Sequence, residues 1–279
     1  MKLAFSTNAY TNYSLPDAVR RIADHGYAGV ELLGDAPHAY FPTFGVDELS
    51  AVQTALAEAG LPVANVNANT AMGYYDDAPP SPFFEPSVNN PDASLREWRI
   101  DYTKRAVDLA VAVDAPAVSL SSGPSLSPPD VAYDLLLDSL HEVLDYAEPR
   151  GIGVGIEYEP DLLIECTDEA LALIDDVGRD GLGINLDVGH AAVSGEDLRE
   201  SIERSADHIT GIHLEDIPGG VGGKHYHLIP GDGDLDFAEI FGALADVGYD
   251  GFVTLELYTY PDSPDVAAER SMAALERFV

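Results

Sequence analysis

The sequence predicts an α/β fold, a (β/α)8 TIM barrel formed as a single domain over residues 1–279. Three observations predict it. Short β-branched apolar runs alternate with longer amphipathic stretches, the pattern of βαβ units joined into a parallel sheet. Eight such pairs follow one another without a linker of domain type, and 279 residues suit a barrel of typically about 250. Four of the later apolar runs each end in a carboxylate or an imidazole, at the strand ends where such barrels keep their active sites.

Lys2–Thr7 reads as the first strand. Its helix, Leu15–His25, has Ser14 as N-cap, Pro16 in the first turn and Gly26 at its end. Gly29–Leu33 is the second strand, and its helix runs from about Asp47 to Ala59, ended by Gly60. Pro62–Asn67 is the third strand, followed from Met72 to Ser94 by a connection rich in Pro, Asn and Asp, a length typical of functional lids or of disordered segments. Leu95–Val113 is helical, Ala117–Ser121 is the fourth strand, and Val131–Arg150 is the helix that Gly151 ends. Gly153–Glu157 and Gly183–Asp187 are strands five and six, with the helix Thr167–Val177 between them. The helix Glu196–Asp207 leads to strand seven, Ile209–Leu214. The stretch from Pro218 to Asp234 is too glycine-rich for a regular element. Phe237–Val247 is helical, Phe252–Leu257 is strand eight, and Asp265–Phe278 closes the fold.

Composition narrows the function classes. Acidic residues number 49 against 14 basic, a formal net charge of −35, and the acids are spread through every segment. Such self-repulsion destabilises a compact chain in dilute buffer and is screened at molar salt, where the Debye length falls to about 3 Å. The expectation is a cytoplasmic protein of a halophile. No basic stripe is present to neutralise phosphates, so nucleic acid is not an expected partner. No apolar run reaches the ~18 residues of a bilayer span, and no signal peptide is evident, so no membrane partner is expected either. Cys166 is the sole cysteine, which excludes an intramolecular disulfide and a thiolate zinc site.

The site candidates are Glu157, Asp187, His213 and Glu256. They end the runs Gly-Val-Gly-Ile-Glu157, Gly-Ile-Asn-Leu-Asp187, Ile-Thr-Gly-Ile-His213 and Phe-Val-Thr-Leu-Glu256. The first three are spaced by about one βα unit, and the last interval is longer by the glycine-rich loop. Adjacent strands would carry all four to one mouth. Three oxygen donors and one imidazole suit a hard divalent ion, Mn²⁺ foremost, with Mg²⁺, Co²⁺ and Zn²⁺ as further candidates. Glu159, two residues beyond Glu157, would share its face on the strand's period of two. His190, in a Gly-His turn, and His225 and His227, in the glycine-rich loop, are candidates for substrate contact. Glu31 either reaches the mouth from strand two or caps a helix. Lys224 is a surface lysine or an anion contact. His38, Tyr40 and Phe41 are candidates for a sugar-pocket wall, and Tyr74, Tyr75, Phe83 and Phe84 for a lid. Trp98 is read as core. Dinucleotide and P-loop phosphate motifs are absent, as is a nucleophile elbow.

Together the motifs resemble those of the xylose-isomerase-like barrels, specifically the sugar phosphate isomerase/epimerase group that includes the ketose 3-epimerases. The resemblance spans nearly the whole chain. It rests on Gly29-Val-Glu31-Leu, Asn185-Leu-Asp187-Val-Gly-His190, His213-Leu-Glu-Asp216, His227-Leu-Ile-Pro-Gly231-Asp-Gly233 and Gly251-Phe-Val-Thr-Leu-Glu256. It implies Glu157, Asp187, His213 and Glu256 as metal ligands, with Glu157 and Glu256 also the acid/base pair on opposite faces of a sugar. His190 and His227 would meet substrate hydroxyls, and a homodimer packed through the barrel rim fits the group. Where ketose 3-epimerases carry an arginine beyond the metal-binding histidine, this chain reads Ile217-Pro-Gly-Gly-Val221. The related DNA-repair branch, which binds three zinc ions, needs histidines on the earlier strands; here Asn65, Asn67, Asn69, Ser121 and Ser122 stand instead, although His225 and His227 fall on its later ligand positions. The expected activity is metal-dependent isomerisation or epimerisation of a small keto sugar or cyclitol through an enediolate. The rivals are dehydration of a keto-cyclitol and a barrel that binds a sugar without catalysis.

Overall fold

Eight parallel strands close on themselves in sequence order, β1 pairing with both β2 and β8. The structure is a computed structural model and describes residues 1–76 and 84–279. The strands are β1 (Lys2–Ser6), β2 (Gly29–Leu33), β3 (Val63–Asn67), β4 (Ala117–Ser121), β5 (Gly153–Glu157), β6 (Leu182–Asp187), β7 (Ile209–Leu214) and β8 (Phe252–Leu255). The helices are α1 (Leu15–Asp24), α2 (Val46–Ala59), α3 (Ala93–Ala112), α4 (Pro129–Ala147), α5 (Thr167–Val177), α6 (Val188–Val193), α7 (Leu198–Ser205), α8 (Phe237–Asp246) and α9 (Pro264–Leu275).

Local chemistry sets most helix ends. Ser14 caps α1 by accepting from the Asp17 N–H, and Asp92, Asp197 and Asp236 cap α3, α7 and α8 in the same way. Gly60 and Gly178 end α2 and α5 at φ of +62° and +61°, a left-handed conformation that costs glycine nothing. Three expectations need correction. His190 sits not in a turn but in α6, a helix too short to show a periodicity, and the expected helix from Glu196 begins at Leu198. Strand eight stops at Leu255, so Glu256 lies just past it, although its N–H still donates to the Leu214 carbonyl.

Register partners in a parallel sheet point to the same face. Glu31 pairs with Asn65, Ser121 with Glu157, Asp187 with His213 and His213 with Thr254, so one continuous row lines the interior. The middle of the barrel is filled by small and polar residues, where branched aliphatics are usual. Asn65, Asn185, Gly211 and Thr254 there border a cavity of about 360 Å³ that reaches the surface at Gly248 and Asp250, on the face opposite the strand ends. The apolar core lies outside the sheet, in one cluster that joins strand residues such as Leu32, Val66, Leu120 and Ile156 to helix residues such as Ile22, Val107 and Leu140.

Two glycines of the sequence motifs, Gly189 and Gly233, have packing reasons. A Cβ on Gly233 would lie 2.5 Å from Asp216 Oδ1. Asp216 in turn gathers the backbone N–H groups of Ile217, Gly231, Gly233 and Leu235, at 2.8–3.0 Å, and so ties the glycine-rich loop to the end of β7. A Cβ on Gly189 would lie 1.5 Å from Glu215 Oε1, so that position must stay bare for Glu215 to be where it is.

Candidate metal centre

Each of the four expected ligands reaches the mouth from the end of its own strand, and one ligand atom from each lies within 4.8 Å of the others. All four are buried: Glu157 is 2% exposed, Asp187 1%, His213 0% and Glu256 7%. Water therefore contributes little to stabilising this concentration of charge. His213 Nδ1 is 3.1 Å from Glu157 Oε2 and 3.8 Å from both Asp187 Oδ2 and Glu256 Oε1. Asp187 serves twice. Its Oδ1 accepts from the His190 N–H at 2.8 Å, capping α6, which leaves Oδ2 turned to the cluster. Among the described residues neither Asp187 Oδ2 nor His213 Nδ1 has a hydrogen-bond partner. Buried atoms of this kind are normally satisfied, so two orphans facing one point fit an oxygen-rich cation site.

Neutral donors hold the ligands from the side. Asn185 Nδ2 donates to Glu157 Oε2 at 2.5 Å, while Asn8 and Asn67 both donate to Glu256 Oε1, at 3.1 and 2.9 Å. Glu31 lies inside the barrel, its Oε2 2.6 Å from His213 Nε2. The helix-capping alternative for Glu31 is thereby overturned. The Asn residues of β3, noted in the sequence only as absent histidines, are part of the site.

The histidines expected to meet substrate stand beside this cluster. His190 Nδ1 donates to the Tyr158 carbonyl at 3.1 Å, and His227 Nδ1 to that of Glu256 at 2.7 Å. The rings of His190, His225 and His227 are 4.9–5.7 Å apart between centroids, and the Nε2 atoms of His225 and His227 have no partner among the described residues. Tyr258 extends this wall outward, its ring 4.6 Å from that of His227. Glu159 is mostly covered and lies 4.0 Å from His225. Glu215, which the sequence reading left without a role, is wholly buried against Asp187 and His227. A signal for it existed: on a period of two it shares the face of His213.

Burial and neighbouring charge divide the titratable groups. Burial pushes Glu256 up to about 8 and Glu159 up to about 7, and holds Glu215 well above the usual carboxylate range. For Glu157 burial is outweighed by His213, which keeps its carboxyl below the ordinary value. For His190 burial is overcome by Asp187 and the other carboxylates, raising it to about 9, whereas burial lowers His227 to about 3.

Several lesser candidates have packing roles. His38 donates Nε2–H to the carbonyls of Tyr10 and Tyr13 and is buried; Phe41 packs on Tyr102 in the core. Tyr74 lies edge-on to Trp98, which is partly buried and stacks on Tyr102, so this part of the expected lid is packed on the rim. Phe83 lies outside the described residues. Lys224 is exposed.

The xylose isomerase-like TIM barrel family model matches residues 19–278, and the chain belongs to that family. It is 27% identical to the fructoselysine 3-epimerase of Shigella flexneri over 287 aligned positions, covering 100% of this chain and 97% of the relative. Among solved structures, the 3-keto-D-glucoside 4-epimerase of E. coli superposes with a TM-score of 0.80 at 20% identity, covering 99% of both chains. The IOLI protein with a bound zinc atom superposes at 0.79 and 20% identity, over 100% of this chain and 98% of the other.

Proposed function

We propose that this member of the xylose isomerase-like TIM barrel family is a metal-dependent isomerase or epimerase of a small keto sugar or cyclitol. Glu157, Asp187, His213 and Glu256 hold one divalent ion, and Glu157 and Glu256 are the acid/base pair. The observation that carries this reading is the convergence of four buried ligand atoms within 4.8 Å, two of them orphaned. The oxygen-rich set favours Mn²⁺, Mg²⁺ or Co²⁺, and the zinc of the IOLI structure keeps Zn²⁺ a candidate. When bound, such an ion supplies positive charge opposite the oxygens of the enediolate that deprotonation creates.

The chain's own groups do the proton work. Glu157, kept ionised beside His213, suits the base that removes the proton next to the carbonyl. Glu256, whose proton affinity burial raises, suits the group that returns one. Return to the opposite face inverts the centre, which is epimerisation; transfer along one face is isomerisation. His190, His225, His227 and Glu159 line the adjoining wall, where they bind and orient substrate hydroxyls. The full-length likeness to a fructoselysine 3-epimerase supports a keto compound.

The test is metal content by elemental analysis of wild type and Asp187→Ala, followed by exchange of the proton α to the carbonyl of keto sugars in D₂O. About one divalent ion per chain, lost in the variant, together with exchange by the wild type alone, is the expected result. A metal-free wild type that binds sugar without exchange would leave the non-catalytic barrel in its place.

A further inference from the structure

Resting on the metal-ligand reading above, we infer that Glu31 is the positioning residue for His213: it accepts the Nε2–H and so commits Nδ1 to the metal. Glu31 is fully buried in the middle of β2, pointing into the barrel. A buried carboxylate without a cation is costly, and among the described residues no lysine or arginine pairs with Glu31. Its charged contact is His213, 2.6 Å from Oε2. The opposite ring nitrogen of that histidine faces Glu157, Asp187 and Glu256 at 3.1–3.8 Å. An imidazole that donates from one nitrogen has its tautomer decided, and its lone pair is left on the other. A carboxylate as acceptor also raises the basicity of the ligating nitrogen.

Glu31 is itself held. Asn65 Nδ2 donates to the same Oε2 at 2.9 Å and is anchored by Ser119 Oγ at 3.0 Å, while Asn67 approaches Oε1 at 3.4 Å. These amides satisfy the carboxylate without neutralising it, so its charge stays directed at His213. A structural role on the sheet surface would need none of this, since Glu31 bridges two strands on opposite sides of the barrel.

The experiment is competition between the protein and a chelating dye for Mn²⁺, in wild type, Glu31→Gln and Asn65→Ser, with thermal unfolding as the control for folding. Glu31→Gln is expected to bind Mn²⁺ roughly 10–100-fold more weakly at an unchanged stoichiometry. Its Co²⁺ form should show a shifted visible absorption, and saturating Mn²⁺ should restore part of its kcat. Wild-type affinity in a folded Glu31→Gln overturns the inference. If Glu31→Gln does not fold, Asn65→Ser decides: it keeps both charges but loosens Glu31, and should weaken Mn²⁺ binding several-fold, whereas unchanged affinity overturns the inference. A wild type that takes up no Mn²⁺, Co²⁺ or Zn²⁺ removes the ligand reading itself. A wild type that binds metal as tightly as Glu31→Gln removes only the role of Glu31.

Discussion

The two halves of the barrel mouth are made of different chemistry. From β5 to β8 the strand ends carry Glu157, Asp187, His213 and Glu256, all charged or chargeable. From β1 to β4 the groups that meet them are the amides Asn8 and Asn67, together with Glu31, which Asn65 holds in place. An amide can donate a hydrogen bond without adding charge. A lysine in place of Asn67 would pull the Glu256 carboxyl down; an amide leaves burial in command, and Glu256 remains near 8. In the proposed function the charged half supplies the reactive groups, and the neutral half holds them without adding charge.

Glu256→Gln strikes the charged half directly. It should lower kcat by about 10²–10⁴-fold, the usual worth of a positioned proton donor, with an unchanged melting temperature. Full activity in this variant would end the division of labour proposed for the two glutamates. Asn67→Ala tests the neutral half. Losing its hydrogen bond to Glu256, worth about 1.5–3 kcal/mol, should reduce kcat by about 10–100-fold. Asn67→Asp, nearly the same shape, should be worse than Asn67→Ala, because it sets a third carboxylate against Glu31 and Glu256. If the two variants were equal, neutrality would not be what that half provides.

Glu159 stands at the edge of the charged half and titrates in an accessible range. Its folded-state value of about 7, against an ordinary 4.5, means that the folded protein binds this proton more tightly. The contribution is therefore present at low pH and lost as pH rises from 4.5 through 7. Glu159→Gln should flatten that part of the melting-temperature profile, and an unchanged slope would place the titration elsewhere. The smallest effect is expected far from the mouth. Arg199 pairs with Asp246 at 2.8 Å on the exposed side of α7, and Arg199→Ala should leave both activity and melting temperature without a resolvable change.

Legibility followed the range of the interactions. Glu157, Asp187, His213 and Glu256 were readable because each ends an apolar run, and strand period then places it at the mouth. Asn65 and Asn67 alternate on the inward face of β3, yet an amide carries no sign of its partner. Glu31 was visible, but its contact with His213 spans 182 residues, and that of Asn8 with Glu256 spans 248. Asn8 lies in a short 3-10 turn after β1, where no periodicity operates. Glu215 could have been found from the face it shares with His213.

By itself the sequence determined the order of strands and helices, the glycine and Asx helix ends, and which side chains finish the strands. These depend on neighbours a few residues apart, through hydrogen-bond spacing and apolar period. Only the tertiary structure decided that Glu31 meets His213 across the barrel, that Asn8 reaches Glu256, and that burial raises Glu256 while His213 lowers Glu157. Those outcomes depend on distances through space and on exclusion of water, which a linear pattern does not encode.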